Sequence, residues 1–200
     1  MTGLSACLGR STYDELAEQM ESRKGCHDDV WEVDDKVSIF YYTGDNYLQI
    51  NESLREYSTN ALVTKDTKIK SVADFISSAL SKTKDHSYDL VFRWENDVHL
   101  DIRSVEVGNI IRYASFVSTS VDPKFTFYNS KPRKLTIKEP LGAYIADYSK
   151  CNIESELLID KGAFFIIEHI DVKSNSIALR QLDSSELLQI KTNLINGEVA

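Results

Sequence analysis

The chain has 200 residues, 42% hydrophobic, 10% aromatic and 27% charged, which is enough apolar material for one cored globular domain, or a domain with a small helical extension, without long disorder. Its formal charge of −8, from 31 acidic against 23 basic residues, repels phosphate backbones and disfavours nucleic acid as the main partner. No apolar run approaches the roughly 20 residues of a membrane-spanning helix, and Cys7, Cys26 and Cys151 offer neither a disulfide framework nor metal-ligand spacing.

The first elements read as helical. Ser11-Thr12 followed by Asp14-Glu15 is a helix start, and the spacing predicts a helix over 12–24 that Gly25 stops. Residues 37–42 form a short apolar run and are expected to be a strand. From Asp45 the period turns helical, with Tyr47, Ile50, Leu54 and Tyr57 along one stripe. A third amphipathic helix is expected over 68–82, burying Val72, Phe75, Ile76, Ala79 and Leu80.

The second half changes period. Strands are expected at 88–94, 112–119, 134–138 and 142–146. Residues 156–159 and 163–170, joined by a turn at 160–162, read as a hairpin. A last strand at 176–182 precedes a polar tail. Helices first and strands afterwards is the α+β pattern, with a mostly antiparallel β core and helices packed on one side. The amino terminus carries neither a basic segment nor a long apolar run, so no cleavable secretory signal is expected.

Chemistry-bearing residues cluster in three segments of the β half. Arg93 ends an apolar run, and a half-buried guanidinium there needs an anionic partner, such as a diphosphate or a neighbouring Asp89 or Glu95. Ser118 and Ser120 alternate with Thr119, so the two serines share one strand face. No histidine stands near them in an activating motif, which leaves a serine-hydrolase reading without its base. Glu154 and Glu156, on an extended chain, would share a face about 7 Å apart, and their like charges would raise the pKa of one of them. Taken singly, each segment also fits an ordinary role: a rim ion pair, hydroxyls satisfying local backbone, a solvated acidic edge.

In combination and order, Arg93, then Ser118-Thr119-Ser120, then Glu154-Ser155-Glu156 resembles the R-S-E class of mono-ADP-ribosyltransferases. That class includes arginine-modifying bacterial toxins, vertebrate ectoenzymes and the Mod/Alt enzymes of bacteriophages. Glu156 follows Ser118 by 38 residues, a spacing similar to the family's. Residues 134–145 and 154–165 look like its strand, turn–turn loop and closing hairpin, and residues 41–55 resemble its first conserved helix.

The resemblance implies a split β-sandwich core, with a helical extension over residues 1–36 and the catalytic domain over 37–200. It implies NAD⁺ as substrate, no metal, and a protein acceptor. Arg93 would grip the diphosphate and Ser118 would hold Glu156, the catalytic carboxylate that stabilises oxocarbenium-like charge on the ribose. Thr119 and Ser120 would shape the strand beneath the nicotinamide ribose. Tyr47 and Asn51 would line the adenosine side, and Phe127 or Tyr128 would pack the nicotinamide. Glu154 would orient the acceptor; members with Glu there generally modify arginine, those with Gln other residues. Tyr148, in the loop before Glu154, would help recognise the target.

Trp94 and Ser115 depart from the family pattern, which often has Gly or a basic residue and Asn at those places. The alternatives are an NAD glycohydrolase, with water as acceptor, and an inactive NAD-binding module. The expected setting is the cytoplasm, or the cytosol of a host or target cell reached without a Sec signal.

Overall fold

Helices and strands segregate along the chain because the hydrophobic period changes near residue 88. The computed structural model describes residues 3–59, 67–83, 87–96, 100–125 and 130–196. Helices α1 (Gly3–Leu8), α2 (Arg10–Glu21), α3 (Val33–Tyr41), α4 (Tyr47–Thr59) and α5 (Thr67–Lys82) come first. Strands β1 (Leu90–Glu95), β2 (Ile110–Arg112), β3 (Val117–Ser120), β4 (Arg133–Lys138), β5 (Gly142–Tyr144), β6 (Glu156–Ile159), β7 (Phe164–Asp171) and β8 (Ser176–Gln181) follow, and α6 (Ser184–Asn196) ends the described chain.

The strands join in the order β2-β7-β8-β4-β1-β3-β6-β5. Among the described pairs, β4–β8 alone is parallel. Strict alternation along β4 and β8 points Leu135, Ile137, Ile177 and Leu179 inward, where they meet Val91, Val117, Leu157, Phe165 and Ile167 from both halves of the sheet. The second cluster lies between the helices and the outer face of β3, β5 and β6. Leu158, Ala143 and Phe116 pack there with Ile39, Ile76, Leu4 and Met20. The α+β architecture is therefore as expected, with the N-terminal helices packed on one side of the sheet.

Several local expectations are corrected. Residues 37–42 belong to α3, not to a strand. Glu32 and Asp35 form a reciprocal capping box that starts the helix, with Asp35 Oδ2 accepting the Glu32 N–H at 2.9 Å. Residues 35–40 are buried all round, so the apolar run shows no helical stripe. The run at 112–119 is split between β2 and β3, which lie in opposite halves of the sheet. Residues 156–170 are not a hairpin: β6 sits between β3 and β5, whereas β7 sits between β2 and β8. The turn is pulled aside by Ser77, whose hydroxyl donates to Asp160 Oδ1 at 2.6 Å, and by Tyr113, whose carbonyl accepts the Gly162 N–H at 2.8 Å. The expected polar tail contains α6, capped by Asp183, whose Oδ1 accepts the Glu186 N–H at 2.9 Å.

The boundary drawn at residue 36 falls inside α3. Leu4, Leu8 and Met20 from α1 and α2 lie in the same cluster as Ile39 and Val72. No described helix is long and apolar enough to cross a membrane.

Candidate active site

A cleft of about 360 Å³ opens between α4 and the strands β1, β3 and β6. Its floor follows from strand register. Ser120 faces Glu156 and Ser118 faces Leu158 across the antiparallel β3–β6 pair. Ser118 is thus one diagonal step from Glu156, within reach of a long side chain. The Ser118 hydroxyl donates to Glu156 Oε1. Thr119 points the other way and donates to the Leu157 carbonyl at 2.6 Å. Ser120 donates to the Glu154 carbonyl at 2.9 Å, pinning the backbone that leads into β6.

Glu156 is 4% exposed. Burial raises its pKa from 4.5 to about 7, Glu154 adds to the rise, and the Ser118 hydroxyl and Arg93 oppose it. Glu154 is half-buried and lines the same cleft. The two carboxylates are not consecutive positions of one extended strand. Glu154 ends a 3₁₀ turn (Asn152–Glu154), and Ser155 is left-handed, with φ 44°. That kink places Glu154 on a loop and Glu156 on the sheet.

Arg93 enters from β1. Its Nη1 donates to the Ser118 carbonyl at 2.8 Å and its Nε to Glu95 Oε2 at 3.3 Å. It therefore lines the cleft and is paired to a neighbouring acid as well. Glu95 is itself buried and accepts the Tyr113 hydroxyl at 3.1 Å, with Arg133 Nη1 4.0 Å away. A guanidinium fixed on two sides presents its remaining donors in a set direction.

Tyr47 stands at the mouth, 39% exposed. Asn51 lines the wall, but its amide is engaged: Nδ2 donates to the Tyr42 hydroxyl at 2.9 Å, and Oδ1 accepts the Phe116 N–H at 3.2 Å. Phe127 and Tyr128 lie outside the described residues; Phe125 lines the cleft. Tyr148 is corrected. It is fully buried, packed at a tilt against Trp31, and its hydroxyl accepts the His27 N–H at 2.9 Å, so it does not face a target. The exposed apolar residue of that loop is Ile153, at 70%.

Sequence reasoning missed Arg55 and Lys131, both lining the cleft. Arg55 donates to Ser115 Oγ at 3.3 Å. It follows Tyr47 and Asn51 at helical four-residue steps, a signal that was available. Lys131 lies in a loop with no periodicity to flag it. Burial, then Arg93, lowers its pKa, while Glu95 and Glu154 work the other way. Trp94 also lines the cleft, with Lys134 Nζ 5.6 Å from its ring. Among the described residues, no group of three His, Cys, Asp or Glu side chains could hold a metal.

A buried carboxylate held by a serine, in one cleft with a strand arginine and a second carboxylate on a loop, is chemically able to stabilise positive charge developing on a bound substrate. The sequence model of the ADP-ribosyltransferase exoenzymes matches residues 7–195, and the chain belongs to that family. Its members are mono-ADP-ribosyltransferases and use NAD⁺ as substrate.

Solved structures agree on the fold. Exoenzyme S from Pseudomonas aeruginosa, solved with human 14-3-3 protein beta and Carba-NAD, superposes with a TM-score of 0.69 at 18% identity, covering 94% of this chain and 94% of that one. The eucaryotic mono-ADP-ribosyltransferase ART2.2 gives 0.67 at 18% identity over 90% and 84%. The Vis toxin of Vibrio splendidus gives 0.64 at 20% identity over 88% and 85%, and Vis has also been crystallised with agmatine. No curated protein sequence matches.

Proposed function

We propose that this chain transfers ADP-ribose from NAD⁺ to arginine side chains of a target protein, releasing nicotinamide. The observation that carries the reading is the pair of carboxylates in one cleft with different settings. Glu156 is buried against Ser118, while Glu154 stands half-buried on a loop.

In this mechanism Arg93, aided by Lys131 and Arg55, holds the diphosphate. Ser118 orients Glu156, which accepts a hydrogen bond from the ribose 2′-hydroxyl. As nicotinamide leaves as a neutral molecule, positive charge develops on the ribose, and the fixed carboxylate stabilises it. The same charge favours the ionised form of Glu156. Thr119 and Ser120 set the strand beneath the ribose. Tyr47 and Asn51 lie toward adenosine.

The acceptor guanidinium is cationic and a poor nucleophile. Glu154 orients it and takes its proton as the new C–N bond forms. Binding of agmatine, a guanidinium compound, by the fold neighbour Vis supports this choice of acceptor. The site of action in this reading is the cytoplasm, or the cytosol of a host or target cell.

The test is transfer of labelled ADP-ribose to bacterial and eukaryotic lysates and to agmatine, beside Glu154→Ala and Glu156→Ala. Label on protein and agmatine, lost in both variants, with nicotinamide release kept in Glu154→Ala, is the expected result. Label on protein but never on agmatine would move the acceptor away from arginine. Nicotinamide release without any label would make the chain a glycohydrolase.

A further inference from the structure

The segment between α2 and α3 takes no part in the cleft, yet it is bound to the loop that carries Glu154. That loop runs from the end of β5 to the start of β6, and its first half, residues 144–150, contacts residues 23–28 at every turn. Arg23 Nη1 donates to the Ser149 carbonyl at 2.6 Å. The Cys26 N–H donates to Asp147 Oδ2 at 2.9 Å, and the His27 N–H to the Tyr148 hydroxyl at 2.9 Å. Tyr148 in turn donates to Asp28 Oδ1 at 3.1 Å, and Asp28 is paired with Lys36 of α3 at 2.5 Å. His27 Nε2 lies 2.9 Å from the Tyr144 carbonyl.

The approach is also close sterically. A Cβ on Gly25 would stand 2.5 Å from the Tyr148 ring and 2.6 Å from Asp147 Cβ, so this position accepts only glycine without rearrangement. Arg23 lies over the Phe40 ring at 4.8 Å, and Lys150 over the same ring at 5.3 Å, tying both segments to α3. Thr43 adds one more tie, accepting the Lys150 N–H at 3.1 Å.

The rest of the loop is held differently. Beyond residue 151 the loop is tied to the sheet, by the Ser120 hydroxyl donating to the Glu154 carbonyl and the Val121 N–H donating to the Ser155 carbonyl at 3.1 Å. Glu156 already belongs to β6 and is fixed by strand pairing and Ser118. Glu154 thus has a backbone anchor on the sheet at Ser120 but is approached by a stretch of chain, residues 144–150, that the 23–28 segment holds, whereas Glu156 takes its anchors from β3 and β5.

We infer that Arg23, Gly25 and Tyr148 are positioning residues for Glu154, with the 23–28 segment bracing the loop that presents the acceptor carboxylate. The inference rests on the transferase reading above. It assigns to this part of the chain a role in the partition between protein acceptor and water, since a misplacement of about 1 Å costs transfer steeply while leaving the donor side untouched.

The full-length chain is compared with Arg23→Ala, Arg23→Lys and Tyr148→Phe. Nicotinamide release, labelled transfer to agmatine or lysate protein, and amide hydrogen exchange over residues 144–155 are measured on each. Arg23→Ala and Tyr148→Phe are expected to lower transfer about tenfold with release changed less than about twofold. Exchange should quicken at 144–151 and stay unchanged in β6, and Arg23→Lys should recover part of the transfer. Transfer and release falling in parallel would overturn the inference, because a general loss of fold moves both. Unaltered exchange at 144–151 would overturn it too, and that readout needs no activity. A wild-type chain that labels no acceptor sinks the transferase reading instead, and exchange alone then decides whether the brace exists.

Discussion

Arg93 and Ser118 are joined by a 2.8 Å hydrogen bond from a guanidinium to a backbone carbonyl, and the hydroxyl of the same serine holds Glu156. The cation of β1 and the carboxylate of β6 therefore share one residue of the strand between them. Lysine cannot copy this geometry, because it lacks the second donor that reaches Glu95. Arg93→Lys is expected to raise KM for NAD⁺ at least about tenfold, with a smaller effect on kcat. Steady-state nicotinamide release over a range of NAD⁺ concentrations checks it.

Ser118 opposes the effect of burial on Glu156. Removing its hydroxyl lets the carboxyl rise above its value of about 7. The proposed mechanism needs the ionised form, so the wild-type rate is expected to climb with pH through that region. In Ser118→Ala the rise should move to higher pH, and kcat/KM at pH 7 should fall about 10- to 100-fold. A pH profile that keeps its midpoint while losing amplitude would assign Ser118 another role.

The same group has a stability signature of the opposite sign to most carboxylates. Its pKa is raised in the folded state, from 4.5 to about 7, so the native protein binds the proton more tightly than the unfolded chain does. The contribution is present below about pH 4.5 and is lost as pH rises through 7. Glu156→Gln removes this titration. Its advantage over the wild type should grow between pH 5 and 8, by an amount on the order of 3 kcal/mol. Denaturant melts at several pH values read this out, and a constant difference would contradict it.

Helices α1 and α2 supply Leu4, Leu8 and Met20 to the helical core. Leu4→Ala and Met20→Ala are each expected to cost about 2–5 kcal/mol in denaturant unfolding. Deletion of residues 3–21 should leave the catalytic strands without a folded neighbour. A soluble deletion variant with an unchanged melting temperature would show these helices to be separable.

How far the sequence was legible depends on the kind of signal. The serine strand could be read because alternation alone assigns Ser118 and Ser120 to one face, and in β3 Ser118 turns to Glu156 while Thr119 turns to the Leu157 carbonyl. The long helix α5 was equally clear, since its buried residues recur at helical steps. α3 was not, because burial on nearly all sides erases the stripe that separates helix from strand. Its capping box at Glu32 and Asp35 was the available clue, as Asp183 and Glu186 were for α6. The hairpin assigned to residues 156–170 failed for a different reason. Turn chemistry at 160–162 fixes a change of direction, not the neighbour on which the next strand lands. The Glu154–Glu156 geometry turned on one left-handed serine, which no residue pattern announces. Tyr148 was assigned outward by position in a loop, while its partners His27 and Asp28 lie about 120 residues earlier in the chain.

The cleft is assembled from strands far apart in sequence. Arg93 reaches 25 residues forward to Ser118, and Ser118 reaches 38 further to Glu156. β6, which brings the last of these groups, has to insert between β3 and β5. In the proposed mechanism a chain ending before residue 156 has the cation and the serine but not the carboxylate, so cleavage of NAD⁺ waits on the pairing of β6 with both of its neighbours.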